Sequence, residues 1–307
     1  MNSKDIARKL FPKISADLTA LRSEFVNVVR CPLCLESFGI DAIDDNRLSV
    51  EHIIPSAVGG TLPTLTCTRC NNTHGSDLDR NLVSAMEAFD ALEGQRELPA
   101  VFHNEQGHVA ANILWRVGSG GTTEIKIVGE ASNPAGLDGI RDHIHDGATL
   151  SFTLSFGFIP ERYWRAVFRV AYLAAFERLG YRYILDHCGG LVRRVLNGTD
   201  PAPDVILQAH PVPEPPQQAW VVPIWKEPSS LAVIFRLRTT TTRYLAVLLP
   251  MGADWKALIE IAKQHRNLRL RGTQQSSEID VTFAADPVKV LRETRFPPDR
   301  SGAPPAS

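Results

Sequence analysis

The sequence predicts an α+β fold, and three features of the 307-residue chain lead to that prediction. Apolar residues near the N-terminus recur at three- and four-residue steps, which indicates helices. Two C-x-x-C pairs then enclose a stretch whose pattern predicts strand, turn, strand and helix in that order. Beyond residue 95, alternating apolar segments are interspersed with helical ones, which indicates a mixed α/β region.

The first thirty residues are predicted to be helical. Ile6, Leu10 and Ile14 begin an apolar series with helical spacing over residues 4–30. Pro12 is predicted to divide this helix into two pieces, because proline removes a helix hydrogen bond and clashes with the preceding turn. After the cysteine region, a helix over 81–93 is predicted from its apolar face.

The rest of the chain is predicted to mix strands, helices and one long loop. In order, the patterns predict a hairpin over 115–128, a strand over 150–158, a helix over 161–179, a shorter helix over 188–197, a proline-rich loop or linker over 200–228, strands over 230–238 and 242–249, and a helix over 253–265. The region richest in Pro, Gly, Ser and Ala, residues 296–307, is predicted to be a disordered tail.

Composition narrows the setting in which the protein works. The formal net charge is −1, so nucleic-acid binding would need local basic patches, since the field of the whole chain attracts no polyanion. The first thirty residues mix charges with apolar positions and do not form a secretory signal. No stretch has the length of apolar sequence that a membrane span needs. We therefore expect a cytoplasmic protein with no membrane partner.

Four of the five cysteines form two C-x-x-C pairs, Cys31 with Cys34 and Cys67 with Cys70. In a reducing compartment such pairs are more often metal sites than disulfides. Disulfides are the alternative. Four thiolates complete a tetrahedral zinc site and leave no position for water. The sequence therefore predicts a structural zinc ion.

The segment between the two pairs holds the candidate catalytic residues. Glu51, His52 and Pro55 belong to the sequence EHIIP, at the end of a predicted strand. Adjacent strand residues point to opposite faces, so a site that uses both Glu51 and His52 requires the strand to end or bulge there. Gly59-Gly60 supplies a turn, residues 61–66 a second strand, and residues 67–79 a helix.

These residues resemble the HNH endonuclease superfamily, whose fold is called ββα-metal, in the branch with E-H-I-I-P, then G-G, then C-x-x-C-N. The resemblance covers about residues 31–80. It implies that the four cysteines are structural zinc ligands and that His52 is the general base. It also implies that Glu51 and Asn71 are ligands of a catalytic divalent ion, with His74 as a further ligand or phosphate contact.

The implied chemistry is hydrolysis of phosphodiester bonds. Oxygen ligands such as Glu51 and Asn71 suit Mg²⁺ or Mn²⁺, and a neutral histidine takes up a proton near neutral pH. By resemblance, the products carry 5′-phosphates. One departure from the family pattern is the missing asparagine shortly before Cys67, where Thr64 or a backbone group would have to brace the loop that follows the base.

The partners implied are nucleic acids, with DNA favoured over RNA and a homodimer left open. Three arginines of the predicted 161–179 helix, Arg162, Arg165 and Arg169, either contact phosphates or form a solvated face, and the solvated face is favoured. The rival function is a catalytically inactive, zinc-stabilised module that binds nucleic acid or protein. By analogy alone, the C-terminal region would act as a sensor with the nuclease as its output, as in phage defence.

These patterns predict a domain organisation in three parts. Residues 1–95 contain the helical lead-in and the HNH nuclease module, whose core is 31–80. Residues 96–295 form a mixed α+β accessory region for recognition of substrate or partner. Residues 296–307 form the tail.

Overall fold

The computed structural model describes residues 2–104, 107–117, 123–129, 138, 151–224, 229–252, 254–264, 269–274 and 277–289. Helices and antiparallel sheets make up an α+β fold, as predicted. The predicted tail over 296–307 lies outside the described residues.

The N-terminal helix α1 runs without interruption from Ser3 to Leu21, so the prediction that Pro12 divides it is wrong. The helix has buried residues on both sides of the proline, including Phe11 and Leu18. Burial of this face compensates for the hydrogen bond that the proline cannot make, because helix stability in proteins comes mainly from packing. The prediction of helix also fails beyond Leu21, where Arg22 is extended and two turns follow.

The cysteine region forms two small hairpins and a helix. Its elements are β1 (Val29–Arg30), β2 (Ser37–Phe38), α2 (Asp41–Asp44), β3 (Leu48–His52), β4 (Pro63–Cys67) and α3 (Thr68–His74). The predicted order of strand, turn, strand and helix is therefore confirmed. In the turn, a Cβ on Gly60 would lie 1.7 Å from the carbonyl oxygen of Ile54, so only glycine fits there.

Helix α3 continues into a wide π-helical turn over Gly75–Asp79 and then into α4 (Arg80–Leu92). Helix α4 is the one predicted over 81–93. The π turn was not predicted, because an i to i+5 hydrogen-bonding pattern has no simple signature in the apolar spacing.

A four-stranded antiparallel sheet follows α4 in the chain. It contains β5 (Leu98–Asn104), β6 (Gly107–Val117), β7 (Thr123–Gly129) and β8 (Ser151–Leu154), in the order β7-β6-β5-β8. The pairing of β6 with β7 confirms the hairpin predicted over 115–128. This sheet packs on the end of α4 through a separate small apolar cluster that includes Ala91 and Phe102.

Three helices come next: α5 (Pro160–Leu179), α6 (Tyr181–Ile184) and α7 (His187–Leu196). The first and third agree with the helices predicted over 161–179 and 188–197. Helix α5 is buried along most of its length, from Tyr163 to Phe176. Among the described residues, none of the helices combines the length and apolar character that crossing a membrane requires.

A six-stranded antiparallel sheet completes the described fold. Its strands are β9 (Ile206–Val212), β10 (Ala219–Ile224), β11 (Ser230–Arg238), β12 (Thr242–Pro250), β13 (Arg269–Gln274) and β14 (Ser277–Ala285), with helix α8 (Trp255–Lys263) between β12 and β13. The order is β10-β11-β12-β9-β14-β13. The strands and helix predicted over 230–265 are confirmed.

The prediction that residues 200–228 form a loop or linker is wrong, because β9 and β10 lie within them. The prolines within β9 and β10 occupy positions at which the sheet tolerates a missing N–H group. Pro223 is on the edge strand β10, and Pro211 lies beyond Ile206–Ala209, the part of β9 that pairs with β12. Proline is found in sheets at such one-sided positions.

One apolar core joins α1, the cysteine region, α5 and the six-stranded sheet. Helix α5 contacts α4 and the π turn as well as β10, β11 and β12. Residues from beyond position 160 therefore pack directly on the segment that holds the cysteines. The boundary near residue 95 stays a prediction.

Candidate active site and zinc site

The four predicted zinc ligands come together in one cluster. The sulfur atoms of Cys31, Cys34, Cys67 and Cys70 all lie within 4.8 Å of one another, and all are free thiols. Cys34 Sγ and Cys67 Sγ are 3.7 Å apart. A zinc ion bound by four thiolates at about 2.3 Å would set each pair of sulfurs about 3.8 Å apart, so the cluster fits zinc.

Hydrogen bonds within the cluster redistribute the protons of the thiols. Hydrogen bonding with Cys31 lowers the pKa of Cys34 to about 4 and that of Cys67 to about 7. The same hydrogen bonds, together with burial, raise the pKa of Cys31. Thiolates are the form that binds zinc, so zinc binding would release the protons that remain on the cluster.

The predicted catalytic residues line a cleft of about 490 Å³ beside the cysteine cluster. Glu51, His52 and Asn71 all face it, together with Asp79 and Arg80. Strand β3 delivers Glu51 and His52, while α3 delivers Asn71 and the π turn delivers Asp79. The cleft also borders the short 3₁₀ turn after Pro55.

His52 is exposed and is the last residue of β3. Its partner across the strand pair is Pro63, and this is the last paired position of β3 with β4. The strand end that the sequence analysis required is therefore present. It leaves the imidazole of His52 open to solvent beside the buried Glu51.

A backbone group holds the loop after His52, where many family members have an asparagine. The N–H of Ile53 donates to the carbonyl oxygen of Leu62 at 2.9 Å. Thr64, the other residue considered for this role, is buried opposite Glu51 in the β3–β4 pair. Backbone pairing thus replaces the missing side chain.

Asn71 is oriented by two hydrogen bonds from its amide nitrogen. Nδ2 donates to the hydroxyl of Ser49 at 3.1 Å and to the carbonyl oxygen of Val50 at 3.2 Å. A carbonyl oxygen can only accept a hydrogen bond, so the Asn71 side-chain atom that faces Val50 must be the amide nitrogen. The other side-chain atom is therefore the oxygen Oδ1. Oδ1 therefore remains available toward the cleft.

Glu51 is only 5% exposed and its carboxylate is ion-paired with Arg169 of helix α5. The second arm of the same guanidinium donates to Oδ1 of Asp79 at 2.5 Å. Burial raises the pKa of Glu51, and it raises the pKa of Asp79 to about 6, while in both cases the charge of Arg169 acts in the opposite direction. The guanidinium thus joins two carboxylates that face the cleft.

The arginines of α5 do not form a solvated face, as the sequence analysis favoured, nor an exposed stripe that contacts phosphates. Arg169 is fully buried, Arg165 donates to the carbonyl oxygen of Leu196 at 3.1 Å, and Arg162 is paired with Asp77 at 2.6 Å. The reason is that this side of α5 packs against the π turn and α7, which supply the acceptors.

His74 is not among the residues that line the cleft. It is 8% exposed, and within the described part of the chain its Nδ1 has no hydrogen-bond partner. Burial lowers the pKa of His74 to about 4, and the nearby charges of Arg169 and Arg165 add to this effect. The imidazole is therefore neutral near neutral pH and packed within the module.

This lowered pKa predicts a pH-dependent stability. Between the unfolded value of 6.5 and the folded value of about 4, the unfolded chain binds more protons, so stability falls as the pH drops through this window. From about pH 6.5 to about pH 5, His74 should cost wild type up to about 2 kcal/mol of unfolding free energy. Urea unfolding should show this loss relative to His74→Gln, and parallel pH profiles for the two proteins would contradict it.

Sequence reasoning missed Asp79 and Arg80 as residues of the cleft. Both follow the helix start by about three turns, and the apolar spacing carried no sign of the π turn that places them. The one available signal was chemical: Asp77 and Asp79 stand close behind a C-N-N-x-H sequence in a segment already assigned to a cation site.

A hairpin and a helix clamped by four cysteines, with a histidine at the end of the first strand facing a cleft lined by oxygen atoms, form the arrangement that the HNH resemblance predicts. Residues 31–87 match the family model described as HNH endonuclease. The matched segment contains the cysteine cluster and every residue of the cleft, and it supports a nuclease-type function. No curated protein and no solved structure gives a significant match to this chain.

Proposed function

We propose that the protein is a metal-dependent HNH endonuclease that hydrolyses phosphodiester bonds in DNA, with His52 as the general base. The observation that carries this proposal is the convergence of an exposed imidazole with the oxygen donors of Glu51 and Asn71 in one cleft. The family match over residues 31–87 supports it independently.

The donor set of the cleft fits a hard divalent cation. The hydrogen bond from Arg169 engages Oε1 of Glu51, so Oε2 remains for a cation, and Asn71 offers Oδ1. Carboxylate and amide oxygens are the ligands that Mg²⁺ and Mn²⁺ prefer. Zinc, by contrast, is matched by the soft sulfur cluster, so the two kinds of site are chemically separate.

The residues of the cleft divide the work of hydrolysis between them. His52 accepts a proton from the attacking water, and its exposed position admits both water and substrate. Glu51 and Asn71 hold the divalent cation, which when bound stabilises negative charge on the scissile phosphate and the departing 3′ oxygen. The products would then carry 5′-phosphates. His74 has no direct role in this scheme, since it is buried away from the cleft.

Two exposed arginines favour a polyanionic substrate. Arg80 lines the cleft and makes no ion pair with the residues that the structure describes. Arg238, at the end of β11, packs against the turn at Gly59, where a glycine Cβ would lie 3.2 Å from its own Cβ. Such cations supply the local attraction that a chain of net charge −1 otherwise lacks.

The rival function, an inactive binding module, rested on the missing asparagine before Cys67. The hydrogen bond from Ile53 to Leu62 braces the same loop through the backbone, which weakens that reason.

The proposal is tested with the zinc-loaded full chain and supercoiled plasmid. We expect nicking or linearisation when Mg²⁺ or Mn²⁺ is added to chelator-treated buffer, and no cleavage without added metal. A single-stranded RNA of matched length should be cut more slowly. Plasmid binding without cleavage under every metal condition would instead establish the binding module.

A further inference from the structure

The buried guanidinium of Arg169 comes from outside the segment that matches the HNH family. Helix α5 begins at Pro160, whereas the family match ends at residue 87. Arg169 is nevertheless fully buried against the cleft and contacts Glu51 and Asp79, with 118 residues separating it from Glu51 along the chain. A residue from beyond the matched segment therefore holds two carboxylates of the cleft.

Each carboxylate gives only one oxygen to this guanidinium. Arg169 Nη2 donates to Oε1 of Glu51 and Nη1 donates to Oδ1 of Asp79. Among the described residues, the remaining oxygens, Oε2 and Oδ2, have no hydrogen-bond donor. The planar fork of arginine holds the two bonded oxygens at a set separation, which restrains where the two remaining oxygens can lie.

The free oxygens of Asp79 and Asn71 lie on either side of Gly75. A Cβ placed on Gly75 would be 3.9 Å from Asp79 Oδ2 and 3.9 Å from Asn71 Oδ1. The absent side chain leaves a cradle between them that opens on the cleft, to which all three residues and Glu51 contribute.

The π turn explains how Asp79 reaches this cradle. Eight residues of a regular α-helix advance about 2.2 turns, which would carry Asp79 about 80° past Asn71 around the axis. The wider turn over Gly75–Asp79 slows that rotation and returns Asp79 to the side of Asn71. Turns of this kind occur often at functional sites, because they re-aim a side chain at the expense of helix regularity.

We propose that Arg169 is a positioning residue for the divalent-cation site, and that Asp79 is a further oxygen ligand in it. Arg169 holds Glu51 and Asp79 so that Oε2 and Oδ2 join Asn71 Oδ1 around one cation. This inference rests on the proposed endonuclease function and deepens it, since it makes the site depend on helix α5.

The charges of Glu51, Asp79 and Arg169 agree with this arrangement. Two carboxylates and one guanidinium leave one negative charge beside the cleft. A divalent cation changes the sum to one positive charge, which a single phosphodiester group neutralises. Without Arg169, the two carboxylates, the cation and the phosphate would together carry one negative charge.

The test measures binding of Mn²⁺ alone to the zinc-loaded full chain by isothermal titration calorimetry. We expect Arg169→Met and Asp79→Asn each to weaken Mn²⁺ affinity by about tenfold to a hundredfold, the range for loss of a residue that orients or joins a metal site. Arg169→Lys keeps the positive charge but loses the forked guanidinium, so its Mn²⁺ affinity should lie between those of Arg169→Met and wild type.

A second buried ion pair supplies the matched control. Arg243 of β12 donates to Asp90 of α4 at 2.5 Å, and both side chains are buried, but neither lines the cleft. Arg243→Met should lower thermal stability as Arg169→Met does, while leaving Mn²⁺ affinity unchanged. A purely structural role for Arg169 would give the two variants the same Mn²⁺ affinity as wild type.

Two results would overturn the inference. One is wild-type or tighter Mn²⁺ binding by Arg169→Met or Arg169→Lys, because it would mean that the guanidinium competes with the cation. The other is unchanged binding by Asp79→Asn, which tests the ligand role even if Arg169→Met fails to fold. If wild type still cleaves in a metal-dependent way, either result leaves the proposed function intact. If wild type neither binds Mn²⁺ nor cleaves, both the inference and the proposed function are removed.

Discussion

Replacing His52 by alanine should slow cleavage of plasmid by about a hundredfold to ten-thousandfold, the usual contribution of a positioned general base. The imidazole is exposed at the end of β3 and contributes no buried contact, so the variant should fold and bind zinc as wild type does. The loss should therefore appear in kcat, with little change in Mn²⁺ or DNA affinity.

The measurement is the rate of nicking at saturating metal, with His210→Ala as the matched control. His210 is also an exposed histidine near the end of a strand, but it belongs to β9 and does not line the cleft. His210→Ala should cut at the wild-type rate. Equal rates for wild type and His52→Ala would remove the assignment of the base.

Replacing Cys67 and Cys70 together by serine should abolish zinc binding and unfold the module. Structural zinc sites of this kind contribute on the order of 10 kcal/mol of apparent folding free energy, which is comparable to the usual stability of a whole domain. The effect should be large here because β4 and α3, which carry these cysteines, also position Asn71 and the π turn. Cleavage should be lost along with the metal.

Elemental analysis and circular dichroism provide the measurement, with Cys188→Ser as the control. Cys188 is the one cysteine outside the cluster; it is buried and accepts a hydrogen bond from the N–H of Gly252 at 3.2 Å. Wild type and Cys188→Ser should each contain about one zinc per chain. A doubly substituted protein that stays folded and active without zinc would contradict the structural role.

The sequence alone was sufficient for the parts of the site that lie within one short segment. The spacing of the cysteine pairs and the EHIIP sequence indicated the zinc cluster, and they also singled out His52, Glu51 and Asn71, which the structure brings to one cleft. These residues are linked by β3, β4 and α3, whose geometry follows from local patterns. Strand alternation also required a strand end or a bulge at this point, and His52 is the last residue of β3.

Local patterns gave the wrong result wherever packing competed with them. Pro12 was expected to break α1, but the buried face of that helix holds it together. The prolines of residues 200–228 indicated a linker, yet the sheet accepts them at positions paired on one side only. In both cases the decisive energy comes from residues distant in sequence, which a window of neighbouring residues does not contain.

The same reason explains why Arg169 was misread. Its helical spacing with Arg162 and Arg165 is equally compatible with a solvated face, and nothing near it in the chain marks a partner. Only the tertiary structure brings α5 against the π turn and pairs Arg169 with Glu51 and Asp79. The sequence thus determined the zinc cluster and the candidate base, because these depend on spacing within short motifs. The fold decided what holds the carboxylates of Glu51 and Asp79, because a buried charge takes its partner from whichever element packs against it.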